Sequence, residues 1–236
     1  MLRKTVQAIS FLLFTSVVFA QEEKDAWAGT ISLGYLSTSG NTDTTSYSTK
    51  FEFGYTKNDW EHSIDGGTAG AEDRGATTAE NYKLGWHSAR SFTEHDFLFG
   101  TVDWRKDRFG GVTEQVSYAF NYGRRFIDTP EHQLDLGIGA GYRDWDRSDG
   151  KSNAGAIGRG SMAYNWYWSE FSDFMQELTI ESGSGNTYIE SVSALRSQLI
   201  GGFNLVLSYT IQQNSSVPAG ADKTDIATAV SIEYGF

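Results

Sequence analysis

Alternation of apolar and polar residues over long runs constrains this chain more than any other feature. In YSTKFEFGYT, Tyr47, Thr49, Phe51, Phe53 and Tyr55 fall on one side of an extended backbone, and Ser48, Lys50, Glu52 and Gly54 on the other. In EQVSYAFNYGRRF, Val116, Tyr118, Phe120 and Tyr122 oppose Gln115, Ser117, Asn121 and Arg125; in QLDLGIGAGYR, Leu134, Leu136, Ile138, Ala140 and Tyr142 oppose Asp135, three glycines and Arg143. Runs of about ten residues exceed the roughly five or six of an ordinary soluble strand. The pattern predicts about twelve strands, over 27–37, 44–56, 60–71, 80–90, 95–105, 114–126, 133–145, 155–168, 173–182, 187–198, 203–213 and 224–236. Pro130 and Pro218 fall in connections, where a missing ladder donor does no harm.

Alternation alone fits a soluble sandwich as well as a membrane barrel, so the contents of each face decide. One face is apolar and aromatic. The other holds Lys50, Glu52, Glu61, Asp65, Lys83, Arg105, Arg125, Asp135, Arg143, Arg159, Glu177, Glu190 and Arg196. In a sandwich those charges would be solvated outside; in a transmembrane barrel they line the lumen while the apolar face meets lipid. Aromatics gather towards strand ends (Trp27, Tyr55 with Trp60, Trp86, Trp104, Trp166 with Trp168, Tyr234 with Phe236), where interfacial girdles lie. Glycines recur on the polar face, at 34, 54, 85, 137, 139 and 141, leaving room for charged neighbours inside a curved wall. An even strand number also returns the chain to the side on which it began. The expectation is an all-β, antiparallel, up-and-down transmembrane barrel. Lipid offers no hydrogen-bond partners, so the last strand must pair with the first.

The first twenty residues combine Arg3 and Lys4, an apolar run and a small residue at Ala20, the pattern of a cleaved secretory signal. Its apolar run is shorter than the roughly 20 residues that cross a bilayer as a helix. Cleavage removes two basic residues, leaving 17 Lys and Arg against 30 Asp and Glu. That balance argues against nucleic acid as a partner. No linker divides residues 21–236, so a single domain is expected, and the chain has no cysteine for disulfides. The segment ATAVSIEYGF places Thr228, Val230, Ile232, Tyr234 and Phe236 on one face. Val230, Ile232, Tyr234 and Phe236 resemble the signal read by the machinery that inserts barrels into bacterial outer membranes. The expected partners are therefore outer-membrane lipid and that machinery, and the expected state is a monomer in the outer membrane.

Residues in WAGTISLGYLSTSGNTDT carry a more specific resemblance. Trp27, Gly29, Leu33, Gly34 and the run from Thr38 to Thr42, followed by DFLFGTVDW with KDRF, GAGYR at 139–143 and the closing IEYGF, resemble the YdiY-like, salt-induced outer-membrane protein family. The resemblance covers essentially the whole chain after the signal segment. It implies an outer-membrane barrel, of a family whose function is unknown, with no catalytic residues to transfer. NYGRRF at 121–126 departs from the family pattern, with two arginines where a second Gly-Tyr pair is expected.

Other motifs fail on their own geometry. DWDRSDGKSN offers Asp144, Asp146 and Ser148 to calcium, but Asp149 stands where an EF-hand loop needs glycine and Gly155 where it needs glutamate. DGKS lacks the earlier glycine of a phosphate loop, since Trp145 is there. His62, His87, His95 and His132 show no metal-ligand spacing and read as interfacial or turn residues. His62-Ser63 and His87-Ser88 point to opposite faces of their strands, so neither adjacent pair makes a nucleophile and its base. A cross-strand pair is not visible in sequence. No catalytic residue, metal or cofactor is expected. The mixed lumen charges leave two readings, a narrow pore for ions or small solutes and a plugged structural or stress-related barrel; a lipid-modifying enzyme is a third class.

Overall fold

The computed structural model describes residues 26–38, 44–183 and 185–236; the segment read as a secretory signal, with residues 21–25, 39–43 and 184, lies outside them. The described residues form twelve strands: β1 (Ala26–Thr38), β2 (Thr44–Lys57), β3 (Trp60–Asp73), β4 (Ala76–Ser91), β5 (Asp96–Asp107), β6 (Val112–Asp128), β7 (His132–Arg147), β8 (Ser152–Ser169), β9 (Ser172–Gly183), β10 (Asn186–Ile200), β11 (Phe203–Asn214) and β12 (Thr224–Gly235). Each pairs antiparallel with its neighbours in sequence, and β1 pairs with β12, closing the barrel. Closure places Ile31 opposite Tyr234 and Leu33 opposite Ile232. Gly29 and Phe236 exchange backbone hydrogen bonds of 2.9 and 3.0 Å. Gly29 is required there by close approach, since a Cβ would come within 2.8 Å of the Phe236 ring and 2.9 Å of the Phe53 ring.

The strands are 12 to 18 residues long, longer than the runs of about ten read from alternation. The largest difference is at β4, which begins at Ala76 rather than at residue 80. ATTAEN has no apolar period, yet its backbone continues the ladder with Asp73 opposite Ala76 and Glu72 opposite Thr77. Backbone pairing does not need alternating side chains once a neighbouring strand supplies the partners.

The outer face is apolar and exposed. Ile31, Leu33, Ile64, Leu84, Phe120, Ile138, Ile180, Leu195, Leu207, Val230 and Ile232 form a band that only lipid can cover. At the end holding both termini, Trp27 packs on Tyr55 at 4.5 Å, Trp60 stacks on His62, Trp166 meets Trp168 edge to face, and Phe203, Tyr234 and Phe236 adjoin. Exposed Tyr35, Tyr47, Tyr118, Tyr142 and Tyr209 lie nearer the opposite end. Trp86 is an exception to the expected girdle, lying mid-strand opposite Ile64 and Val102. Connections at the terminal end are short, at 58–59, 92–95, 129–131, 170–171 and 201–202; the longest at the far end is 215–223.

Candidate functional site

A contact that crosses the barrel fixes which face is inside. Lys83 on β4 and Glu190 on β10 are six strands apart around the closed sheet, yet their charged ends meet at 2.5 Å. They can meet only through the lumen. Strand register carries the assignment to their neighbours: Lys83 lies opposite Arg105, Arg105 opposite Gln115, Arg143 opposite Ser117, Arg159 opposite Glu181, and Glu190 opposite Gln212. Lys50, Glu52, Glu61 and Asp65 share that face on β2 and β3, with Glu52 opposite Asp65. Arg125 opposes Asp135, and Glu177 and Arg196 point inward on β9 and β10.

Within the lumen these residues separate into two regions. Along β5 to β9 the interior is a packed wedge. Glu181, wholly buried, accepts hydrogen bonds from Ser117 Oγ (2.9 Å), Gln115 Nε2 (3.2 Å) and Arg159 Nη1 (2.8 Å), and pairs with Arg143 at 3.5 Å. Arg159 also donates to Asp103 at 2.7 Å, while Arg143 donates to the carbonyls of Gly183 and Asn186. Four or more polar partners around one carboxylate supply what water no longer can. Towards the terminal end, Phe97 and Phe99 fill the wedge, with rings 5.7 Å apart. Glycines on the neighbouring strands make room: a Cβ at Gly123, the register partner of Phe97 on β6, would lie 1.7 Å from the Phe97 ring. Arg125 closes that end against Asp135 at 3.3 Å.

The β1–β4 and β10–β12 side is an open crescent. Lys50 is exposed although it points inward, and Glu52, Asp65, Lys83, Glu177 and Glu190 are half-buried. Glu190 holds the crossing point, accepting from Lys83, from Tyr188 OH at 2.6 Å and from Gln212 Nε2 at 2.6 Å. Nearer the terminal end the crescent narrows at Met175, Ala194 and Val206, beside the Arg196–Glu233 pair at 3.1 Å.

At the far mouth the 215–223 connection runs across the opening. It is tied to β10 by Ser215 N to Thr187 O (2.9 Å) and Ser216 N to Asn186 Oδ1 (3.0 Å). Val217 and Ala221 reach Gly111 of the 108–111 connection, six strands away. Beneath this strap lies a vestibule open to solvent and lined by Lys83, Arg105, Gln115, Tyr188, Gln212 and Asn214 among others.

One histidine departs from the sequence reading, and another gains a partner that the reading left open. His87, expected as an interfacial or turn residue, points into the lumen between Asp65 (3.2 Å) and Asp103 (3.5 Å). His62 does lie on the outer face, but it forms the cross-strand pair that sequence could not show: its Nδ1 is 2.9 Å from Ser88 Oγ, its register partner on β4. Among the described residues no carboxylate contacts His62, so the pair lacks the third group that orients a catalytic base. His95 lies in the 92–95 turn, and His132 stacks with Tyr164 and Trp166. Among the described residues no group of His, Asp and Glu has the arrangement to hold a metal ion.

A family model described as "Protein of unknown function, DUF481" matches residues 31–236. The chain is 29% identical over 249 aligned positions to the uncharacterized protein YdiY of Escherichia coli (strain K12), covering 99% of this chain and 98% of that one. Among solved structures, an outer membrane channel from Pseudomonas putida F1 superposes with a TM-score of 0.53 at 11% identity, over 93% of this chain and 100% of the other. The NanC porin superposes with a TM-score of 0.51 at 10% identity, over 88% and 97%. At such identities the likeness is one of fold, and it is the fold of outer-membrane barrels.

Proposed function

We propose that this chain, which belongs to the DUF481 family of proteins of unknown function, is a narrow, non-catalytic outer-membrane pore for ions or small solutes. The observation that carries the reading is the crescent: an inward lysine, Lys50, exposed to solvent inside a closed barrel, beside half-buried carboxylates and the Lys83–Glu190 crossing point. A bridge spanning the full diameter makes this point a constriction, and the crescent narrows again at Met175, Ala194 and Val206. A barrel of this strand number lies between the filled eight-stranded and open sixteen-stranded cases. The short connections at the terminal end support a periplasmic position for that end, as in barrels of this class, with the strapped mouth outside.

Fractionation with the outer membrane and heat-modifiable migration test the location; a protein that stays soluble in the periplasm overturns it. Purified protein in planar bilayers should then give small, discrete conductance steps. A second reading has its own support in the packed wedge: a plugged barrel with a structural or stress-related envelope role. Silent bilayers with folded protein decide for it.

The closing strand carries a proposal about biogenesis. Val230, Ile232, Tyr234 and Phe236 form one outward stripe beside β1 and β11, and Phe236 fills the notch above Gly29. This stripe is the recognition signal for the outer-membrane assembly machinery. Deleting Phe236 should leave export intact and lower the amount of heat-modifiable barrel in the membrane; unchanged assembly contradicts it.

A further inference from the structure

The inward arginines are not equivalent. Arg125, Arg143, Arg147, Arg159 and Arg196 each lie within 4.0 Å of a carboxylate oxygen. Arg105 makes no such described contact. Its guanidinium lies 3.5 Å from the centre of the Tyr188 ring, and its Nη1 is buried without a hydrogen-bond partner. Two acids in its neighbourhood, Glu190 and Asp103, are already engaged, by Lys83 and by Arg159. A guanidinium held over an aromatic face keeps a planar fork of donors, which suits a planar, two-oxygen acceptor.

Arg105 lines the vestibule under the 215–223 strap. Its walls add the amides of Asn81, Gln115, Gln212 and Asn214, and Gln115 Oε1 is a second buried polar atom without a partner. Lys83 stands beside Arg105 on the adjacent strand. Amide donors and acceptors around a cation on an aromatic floor fit a ligand with hydroxyl groups as well as its anion. Lys106 adds a third basic group, while Asp107, Asp222 and Asp225 also line the space and disfavour a ligand with more than one negative charge.

We propose that the vestibule is a binding site for a small, singly charged, hydroxylated carboxylate, with Arg105 holding the carboxylate and Gln212 and Asn214 its hydroxyls. The assignment deepens the pore reading by naming a solute class, but binding does not require conduction. A folded protein that binds and gives silent bilayers keeps the site and loses the pore; one that conducts without binding does the reverse.

The test is calorimetric titration of the purified, folded barrel in detergent micelles with sodium gluconate, glucose and inorganic phosphate as separate probes. Gluconate should bind, glucose at least tenfold more weakly, and phosphate more weakly than gluconate. Arg105→Gln should abolish gluconate binding or weaken it at least tenfold, while heat-modifiable migration shows the variant folded. Arg105→Lys, which keeps the charge but loses the fork, should recover only part of it. Folded wild type that ignores gluconate overturns the proposal, as does Arg105→Gln binding it unchanged. Glucose or phosphate binding as tightly as gluconate overturns the ligand class.

Discussion

The wedge and the crescent occupy one lumen, are built from the same residue types, and have opposite physical characters. In the wedge, Glu181 is surrounded by Arg143, Arg159, Ser117 and Gln115 and is sealed from solvent. In the crescent, Lys50 is exposed, and the Lys83–Glu190 pair keeps side chains 38% and 24% accessible. Composition does not distinguish them; burial does. A charge sealed inside the wall depends on its protein partners, whereas one facing water in the crescent keeps its hydration and can interact with a passing solute.

The largest expected effect breaks the wedge. Glu181→Ala leaves two buried guanidinium groups without their shared acceptor and should cost about 3–5 kcal/mol, as for breaking a buried ion pair from one side. Urea unfolding of the refolded barrel in micelles measures it. A loss below the noise of that titration would mean that water reaches the wedge, and the contrast between the halves would fail. Next comes Gly123→Ala, which drives a methyl into the Phe97 ring and should destabilise by about 1–3 kcal/mol through overpacking. Gly158→Ala, on the outer face with nothing within 4 Å, is its control and should be near neutral.

Conductance sharpens the same comparison. Lys83→Ala removes the bridge across the constriction and should enlarge the single-channel step, while Ser117→Ala inside the wedge should leave it unchanged. Equal effects from both would place the conducting path elsewhere. The smallest structural effect is expected from Lys50→Gln, within about 1 kcal/mol, as for a largely exposed side chain that loses its charge but adds no new acid. Its effect on selectivity should still be measurable, as a shift of the reversal potential towards cation preference in a salt gradient. The shift should shrink at high salt, because exposed charges are screened there.

Much of the fold is legible in the residues. Period-two alternation places the strands to within a few residues, with the widest gap at the start of β4, where backbone pairing extends a segment that has no apolar period. The two faces also follow from alternation, since in a strand a residue's side is set by its parity. Which inward residues touch is another matter. Lys83 and Glu190 are separated by 107 positions, and no local pattern brings them together. His87 looks like any strand histidine until β3 and β5 bring Asp65 and Asp103 beside it. Ser88 and His62 become partners through the β3–β4 register alone.

The sequence by itself determined that this chain forms long antiparallel strands with an apolar outside and a charged inside, because lipid and backbone hydrogen bonding permit one closed solution to that pattern. Tertiary structure decided how the inside is divided: which charges are sealed in the wedge, which face water, where the lumen is bridged, and that Arg105 is left with an aromatic face and no carboxylate in contact. Those outcomes depend on the diameter of the closed barrel and on side chains reaching across it. Neither is encoded in the two-residue period that specifies the wall.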